Sequence, residues 1–157
     1  MADQQRETDH ANSPQVRELL KQQAAMYDGL ASSYHAARFT DRPGRYDLLE
    51  AEVLIRELVA RLMLSDGEGW RALDVACGTG KAAVIIAQTG GQVVALDGAP
   101  QMLHQCQTRA QEAGVHEHMM VTNASANSLP YREGTFDLVC SFRFLHLLPA
   151  PAYPALI

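Results

Sequence analysis

The sequence has no run of about 18 apolar residues, the length a helix needs to cross a bilayer, so no membrane span is expected. It holds only three cysteines, Cys77, Cys106 and Cys140, and none falls in a CxxC pair. That spacing argues against a zinc site or a disulfide framework, so no metal is expected and a reducing, cytoplasmic setting is the simplest reading. An excess of positive charge is missing as well: 13 Lys and Arg stand against 18 Asp and Glu, a net charge of -5. An acidic surface repels phosphate backbones, which makes nucleic acid a poor partner. The first residues, MADQQRETDHANSP, mix charges of both signs and lack the apolar stretch of a signal peptide. Internal repeats and low-complexity tracts are also absent.

What is present suits one globular domain. A chain of 157 residues, 47% hydrophobic and 20% charged, is long enough to bury a core. Residues 1–13 read as a disordered tail, 14–66 as a helical lead-in and 67–157 as the main domain. Ser13-Pro14 is a helix start, with serine at the cap and proline at the first helical position. Val16, Leu19, Leu20, Tyr27, Leu30 and Tyr34 then recur at helical spacing, with Gly29 as an expected break or kink. A second helix is expected to start at Asp41-Arg42-Pro43 and to run through Leu48, Leu49, Val53, Leu58 and Leu62.

The pattern then changes to short apolar strands alternating with helices. Strands are expected at Arg71–Ala76, Gln92–Asp97, His118–Thr122 and Phe136–Phe142, the last the richest in apolar side chains. Helices are expected over Lys81–Thr89 and from Pro100 to a cap at Gly114. This alternation implies an α/β fold: a Rossmann-like, doubly wound, mostly parallel sheet with right-handed crossovers.

The most informative stretch is Asp74-Val75-Ala76-Cys77-Gly78-Thr79-Gly80, an apolar strand running into a glycine turn and then a helix. In doubly wound sheets ligands sit at the carboxyl ends of the strands. Gly78-x-Gly80-x-x-Ala83 also fits the dinucleotide pattern GxGxxG/A, with Asp97 19 positions after Gly78 as the ribose-binding acid. Asp74 tips the choice away from a dinucleotide. A carboxylate just before the loop would repel a pyrophosphate, whereas it suits a cationic amino group or a sulfonium.

Leu73-Asp74-Val75-Ala76-Cys77-Gly78-Thr79-Gly80 resembles motif I of class I S-adenosylmethionine-dependent methyltransferases. Ala95-Leu96-Asp97-Gly98-Ala99-Pro100-Gln101-Met102-Leu103 is similar to the next motif of that family. Ser125-Ala126-Asn127-Ser128-Leu129-Pro130-Tyr131, followed by Gly134-Thr135-Phe136-Asp137-Leu138-Val139, resembles the signature of its small-molecule members. Tyr27-Asp28-Gly29-Leu30-Ala31-Ser32-Ser33-Tyr34 looks like the helical lead-in of the same group. The resemblance covers roughly residues 70–150 and implies S-adenosylmethionine as cofactor and a small-molecule acceptor. It further implies a cofactor site built from Asp74, Cys77, Gly78, Gly80, Asp97, Gly98, Met102, Ser125, Ala126 and Phe142, with Tyr27 and Tyr34 closing over it.

Two departures stand out. The family usually has aspartate where this chain has Ser125, and Asn123 is a candidate substitute. The family sheet has seven strands, whereas this sequence stops after the fourth. The expectation is therefore a domain truncated after that strand, with a long apolar edge open to pairing with another chain, including a second copy of itself.

Plainer readings stand beside these. Asp74 and Cys77 also suit turn positions, and Asp97 suits a helix cap. Met102, Phe142, Tyr27 and Tyr34 also suit core packing. The catalytic residue is unknown from sequence; His146 is the one weak candidate for a base, and a lone histidine there is more often structural. Three rival functions follow: a nicotinamide-dependent oxidoreductase, a non-catalytic cofactor-binding or interaction module, and an inert fragment.

Overall fold

The computed structural model describes residues 13–39, 45–61 and 69–147. Helix α1 spans Pro14–Phe39 and α2 spans Arg45–Arg61. Strand β1 (Arg71–Val75), helix α3 (Lys81–Gln88), strand β2 (Gln92–Asp97), helix α4 (Pro100–Glu112), strand β3 (Met119–Asn123) and strand β4 (Leu138–Cys140) follow. The sheet order is β3-β2-β1-β4 and every pairing is parallel. The chain therefore moves outward from β1 to β3 and then returns to the other side of β1. That reversal is the switch point at which such sheets open a crevice above the strand ends.

Alternation along the strands sorts the core into two faces. Ala72, Val93, Ala95 and Leu138 point to the face covered by α3, by Cys106 and Ala110 of α4, and by Ile55 and Val59 of α2. Leu73, Val75, Val94 and Leu96 point to the opposite face. Among the described residues that face is covered by loop side chains, namely Ala126, Leu129, Tyr131, Phe136 and Phe144. Near-continuous burial of β1 reflects cover on both sides, the usual condition of a parallel strand.

Several expectations change in detail. The helix from Pro14 runs through Gly29 to Phe39 without interruption. A glycine inside a helix costs only about 1 kcal/mol, and α1 is held on either side of Gly29 by packing of Tyr27, Ala31 and Tyr34 on Ala99 and Met102. The third strand starts one residue later than expected, at Met119, and ends at Asn123. The helix from Lys81 ends at Gln88, and Thr89 caps it by donating its hydroxyl to the Ile86 carbonyl at 2.6 Å. The start expected at Asp41-Arg42-Pro43, and Leu62, lie outside the described residues, as does the tail up to residue 12.

The fourth strand is the largest correction: it is three residues long, not seven. Phe136 leaves the strand direction to pack edge-on against Tyr131, ring centroids 4.9 Å apart. Asp137 anchors the strand start instead, since its N–H donates to the Arg71 carbonyl and its carboxylate accepts from the Arg71 N–H, both at 2.8 Å. The outer edge is thus short, although Val139 on it is 55% exposed.

Candidate functional site

The glycine loop leaves β1 in a strained path. Ala76 adopts φ 58° and Gly78 φ 54°, both left-handed. For alanine that conformation costs roughly 1–2 kcal/mol, and such strain gathers where a loop is shaped for a ligand. Surrounding contacts hold the path. The Cys77 N–H donates to the Leu96 carbonyl at 3.0 Å, and Arg109 Nε of α4 donates to the Thr79 carbonyl at 2.9 Å. Gly80, at φ 75°, packs so closely on Cys106 that a Cβ there would overlap the Cys106 Sγ.

Asp97 ends β2 with its carboxylate fixed from two sides. Oδ2 accepts the Gly78 N–H at 2.8 Å and Oδ1 accepts the Ala99 N–H at 2.9 Å. Asp97 is not the helix cap, since Ala99 holds that position without a side-chain cap bond; Asp97 instead ties the glycine loop to the start of α4, and each oxygen still has acceptor capacity. Burial raises the pKa of Asp97, opposed by hydrogen bonds from the backbones of Ala99, Gly78 and Gly98. Asn123 is committed to the strand end, with Nδ2 donating to the Asp97 carbonyl at 2.9 Å. Ser125 bonds Asn127 instead, its hydroxyl 2.6 Å from Oδ1.

Asp74 is the most unusual residue in the domain. It is 1% exposed, and its Oδ2 is buried without a hydrogen-bond partner. Burial pushes its pKa up to about 7, relieved in part by the Cys140 thiol and the Ala83 backbone. A buried carboxylate with one empty oxygen is costly unless something cationic completes it.

One cleft joins these groups. Counting the solvent at its open side, it encloses about 1200 Å³, and Asp74, Cys77, Gly78, Asp97, Gly98, Met102, Ser125, Ala126, Phe142, Tyr27 and Tyr34 all line it. Eleven of the twelve residues expected at a cofactor site thus converge. Gly80 is the exception: it lies behind the loop against Cys106. Tyr27 and Tyr34 meet edge-on, centroids 5.9 Å apart, and pack on Met102, so they serve core and cleft together. His146 is exposed and is not among the lining residues.

Sequence reasoning missed other lining residues. Lys81, on the first turn of α3, lines the cleft with its pKa lowered to about 8, first by burial and then by the Arg109 charge. Its position directly after the glycine loop was a legible signal. Leu20, Gln23, Phe144 and Leu147 carried none, because α1 meets the segment after β4 only in the folded chain. The Cys77 thiol has its pKa raised by its hydrogen bond with Cys106 and by burial, which makes it a poor nucleophile. Among the described residues no group of three or more His, Cys, Asp or Glu could hold a metal.

The parallel sheet, the glycine loop after β1 and the acid at the end of β2 define a Rossmann-like domain of the class I methyltransferase type. A family model described as a methyltransferase domain matches residues 72–157, and the chain belongs to that family. An uncharacterized methyltransferase from Synechocystis is 36% identical over 83 residues, covering 53% of this chain and 36% of its own length. An uncharacterized protein of Mycobacterium bovis is 39% identical over 93 residues, covering 58% of this chain and 33% of its own. The chain thus spans about a third of the length of these relatives. Magnesium protoporphyrin IX methyltransferase of Synechocystis, solved with its bound S-adenosylmethionine, shares the fold with a TM-score of 0.64. It is 20% identical, and the match covers 83% of this chain and 66% of that one.

Proposed function

We propose that the cleft binds S-adenosylmethionine and that the domain serves methyl transfer to a small-molecule acceptor. The observation that carries this reading is the buried, half-satisfied Asp74 below the glycine loop, facing the same cleft as Asp97. The orphaned oxygen fits a cationic amino group, and a pyrophosphate in its place would meet a like charge. This separates the reading from a nicotinamide-dependent oxidoreductase.

The residues divide the work by chemistry. Asp74 would receive the ligand's ammonium group, and Lys81 would meet its carboxylate. Asp97, already oriented by Gly78 and Ala99, would accept the ribose hydroxyls. Met102, Ser125 and Ala126 would border the adenine, with Tyr27 and Tyr34 excluding water above. The sulfonium supplies an activated methyl group when the cofactor is bound, so the chain's contribution is positioning and desolvation. His146, exposed and outside the lining, is not proposed as a base. An acceptor that is already nucleophilic would need none.

Three free cysteines agree with a reducing, cytoplasmic setting. The acidic balance agrees with a small-molecule acceptor, and among the described residues no helix is long and apolar enough to cross a membrane. A non-catalytic cofactor-binding module is the second reading, because an acceptor that must lose a proton would find no histidine base among the described lining residues. Turnover of bound cofactor over a panel of small acceptors distinguishes the two. Titration with S-adenosylmethionine tests both, because each requires saturable binding lost on Asp97→Ala.

A further inference from the structure

The cleft has two unlike ends. Asp74, Lys81 and Asp97 cluster around the glycine loop. Away from the loop, α1 meets the segment that leaves β4, and the lining there includes the apolar Leu20, Phe142, Phe144 and Leu147, with the outward-lying Arg143 as the one charged residue in that segment. Gln23 stands within this wall. Its Nε2 donates to the Leu147 carbonyl at 2.8 Å, joining positions 124 residues apart. Its Oε1 is buried and has no hydrogen-bond partner.

The orientation of this amide follows from its neighbour. Turning it over would set Oε1 against the Leu147 carbonyl, oxygen on oxygen, so Nε2 stays on Leu147 and Oε1 remains the free acceptor. A mostly apolar wall holding one fixed, unsatisfied acceptor is the form a specificity site takes: apolar surface supplies contact and a placed polar atom selects. A ligand lacking the matching donor leaves that atom unpaired, which is how such sites reject it.

We propose that this wall is the acceptor subsite, and that it takes an apolar, ring-sized molecule whose hydroxyl or N–H is received by Gln23 Oε1. The inference rests on the methyl-transfer reading for its biological sense, but Gln23 and Leu147, which carry it, are not among the residues assigned to the cofactor. Gln23 is a positioning residue here: it would hold the acceptor through one hydrogen bond and takes no proton.

The test uses 2-naphthol and 2-methoxynaphthalene, a pair of similar shape in which only the first donates a hydrogen bond. Each is titrated into the full 157-residue chain, alone and with saturating S-adenosylhomocysteine. The expected result is at least tenfold tighter binding of the naphthol, a preference lost in Gln23→Met, together with movement of the Gln23 side-chain amide signals in the NMR spectrum of the unaltered chain. Equal binding of the pair, or naphthol binding that leaves those signals still, overturns the proposal even if Gln23→Met does not fold. Failure to bind S-adenosylhomocysteine overturns the cofactor reading instead, and the naphthol comparison on the chain alone then decides this one separately.

Discussion

The Cys140 thiol donates to Asp74 Oδ1 at 3.7 Å, across neighbouring strands that set the two residues directly opposite in register. This weak bond is the one side-chain donor found, among the described residues, for a carboxylate that is otherwise sealed in the core. It leaves Oδ2 empty. On the proposed reading, this empty oxygen costs stability until a ligand's ammonium group fills it, and that cost is measurable.

Replacing that carboxylate should stabilise the ligand-free chain. Burial holds the Asp74 pKa at about 7 against an ordinary value of 3.8. For a pKa raised on folding, the stabilising contribution is complete below the unfolded value and is lost as pH rises through the folded one. A tenfold change in an acid's dissociation constant between the two states corresponds to about 1.4 kcal/mol. Thermal melts of Asp74→Asn should therefore exceed those of the parent most at pH 8, and the gap should close toward pH 4. A gap of constant size would contradict the burial of an ionisable group there.

The same titration should appear in cofactor affinity with a related sign. A cationic ligand needs the ionised carboxylate, so the Asp74 titration taken alone should raise affinity for S-adenosylmethionine about tenfold from pH 6 to pH 8. Lys81, with its pKa lowered to about 8, should blunt that rise and then reverse it if it meets the ligand carboxylate. Calorimetric titrations across this range would show a maximum midway between the two values, at about pH 7.5, and Asp74→Asn should remove the rising limb.

Gly80→Ala tests the buttress behind the loop. The new Cβ would overlap the Cys106 Sγ and would hold a left-handed φ of 75°. The backbone strain alone costs about 1–2 kcal/mol, and the overlap adds to it. Denaturant unfolding should show a larger loss in the parent background than in Cys106→Ala, where the sulfur is gone.

The anchor of β4 is testable in the same way. Asp137→Ala removes the bond from the Arg71 N–H and should cost about 0.5–1.5 kcal/mol. Amide exchange at Leu138 and Val139 should accelerate more than at Val93 or Ala95, which lie in the middle of the sheet. Since the edge is only three residues long, self-association through it should be weak, and sedimentation of Val139→Lys against the parent would reveal any such pairing.

Local chemistry was legible in the sequence and long-range docking was not. The loop from Asp74 to Gly80, the strand ending at Asp97 and the helix opening at Pro100 each follow from residues adjacent in the chain. Pro100 sits at the helix start and glycine at the turn, as their backbone preferences require. Eleven of the twelve named site residues reach one cleft: most follow the strand ends, while Tyr27 and Tyr34 come from α1 and Met102 from α4. Gly80 does not line the cleft, and periodicity does not reveal that Cys106, a full element later, fills the space behind it. Gln23 and Leu147 could not be paired from sequence, since nothing local links them. The length of β4 was overread because Phe136 is apolar in either role, and only its contact with Tyr131 takes it out of the strand.

Cofactor binding turns on whether Asp97 and the loop above Asp74 hold S-adenosylmethionine. The most direct measurement is calorimetric titration of the 157-residue chain with S-adenosylmethionine and S-adenosylhomocysteine, alongside Asp97→Ala and a thermal scan. The expected result is saturable binding to the parent chain and stabilisation of about 2.7 kcal/mol at a hundredfold excess over the dissociation constant. Affinity should fall at least tenfold in Asp97→Ala. Unaltered affinity in that variant, or no binding by a well-folded parent chain, would contradict the assignment.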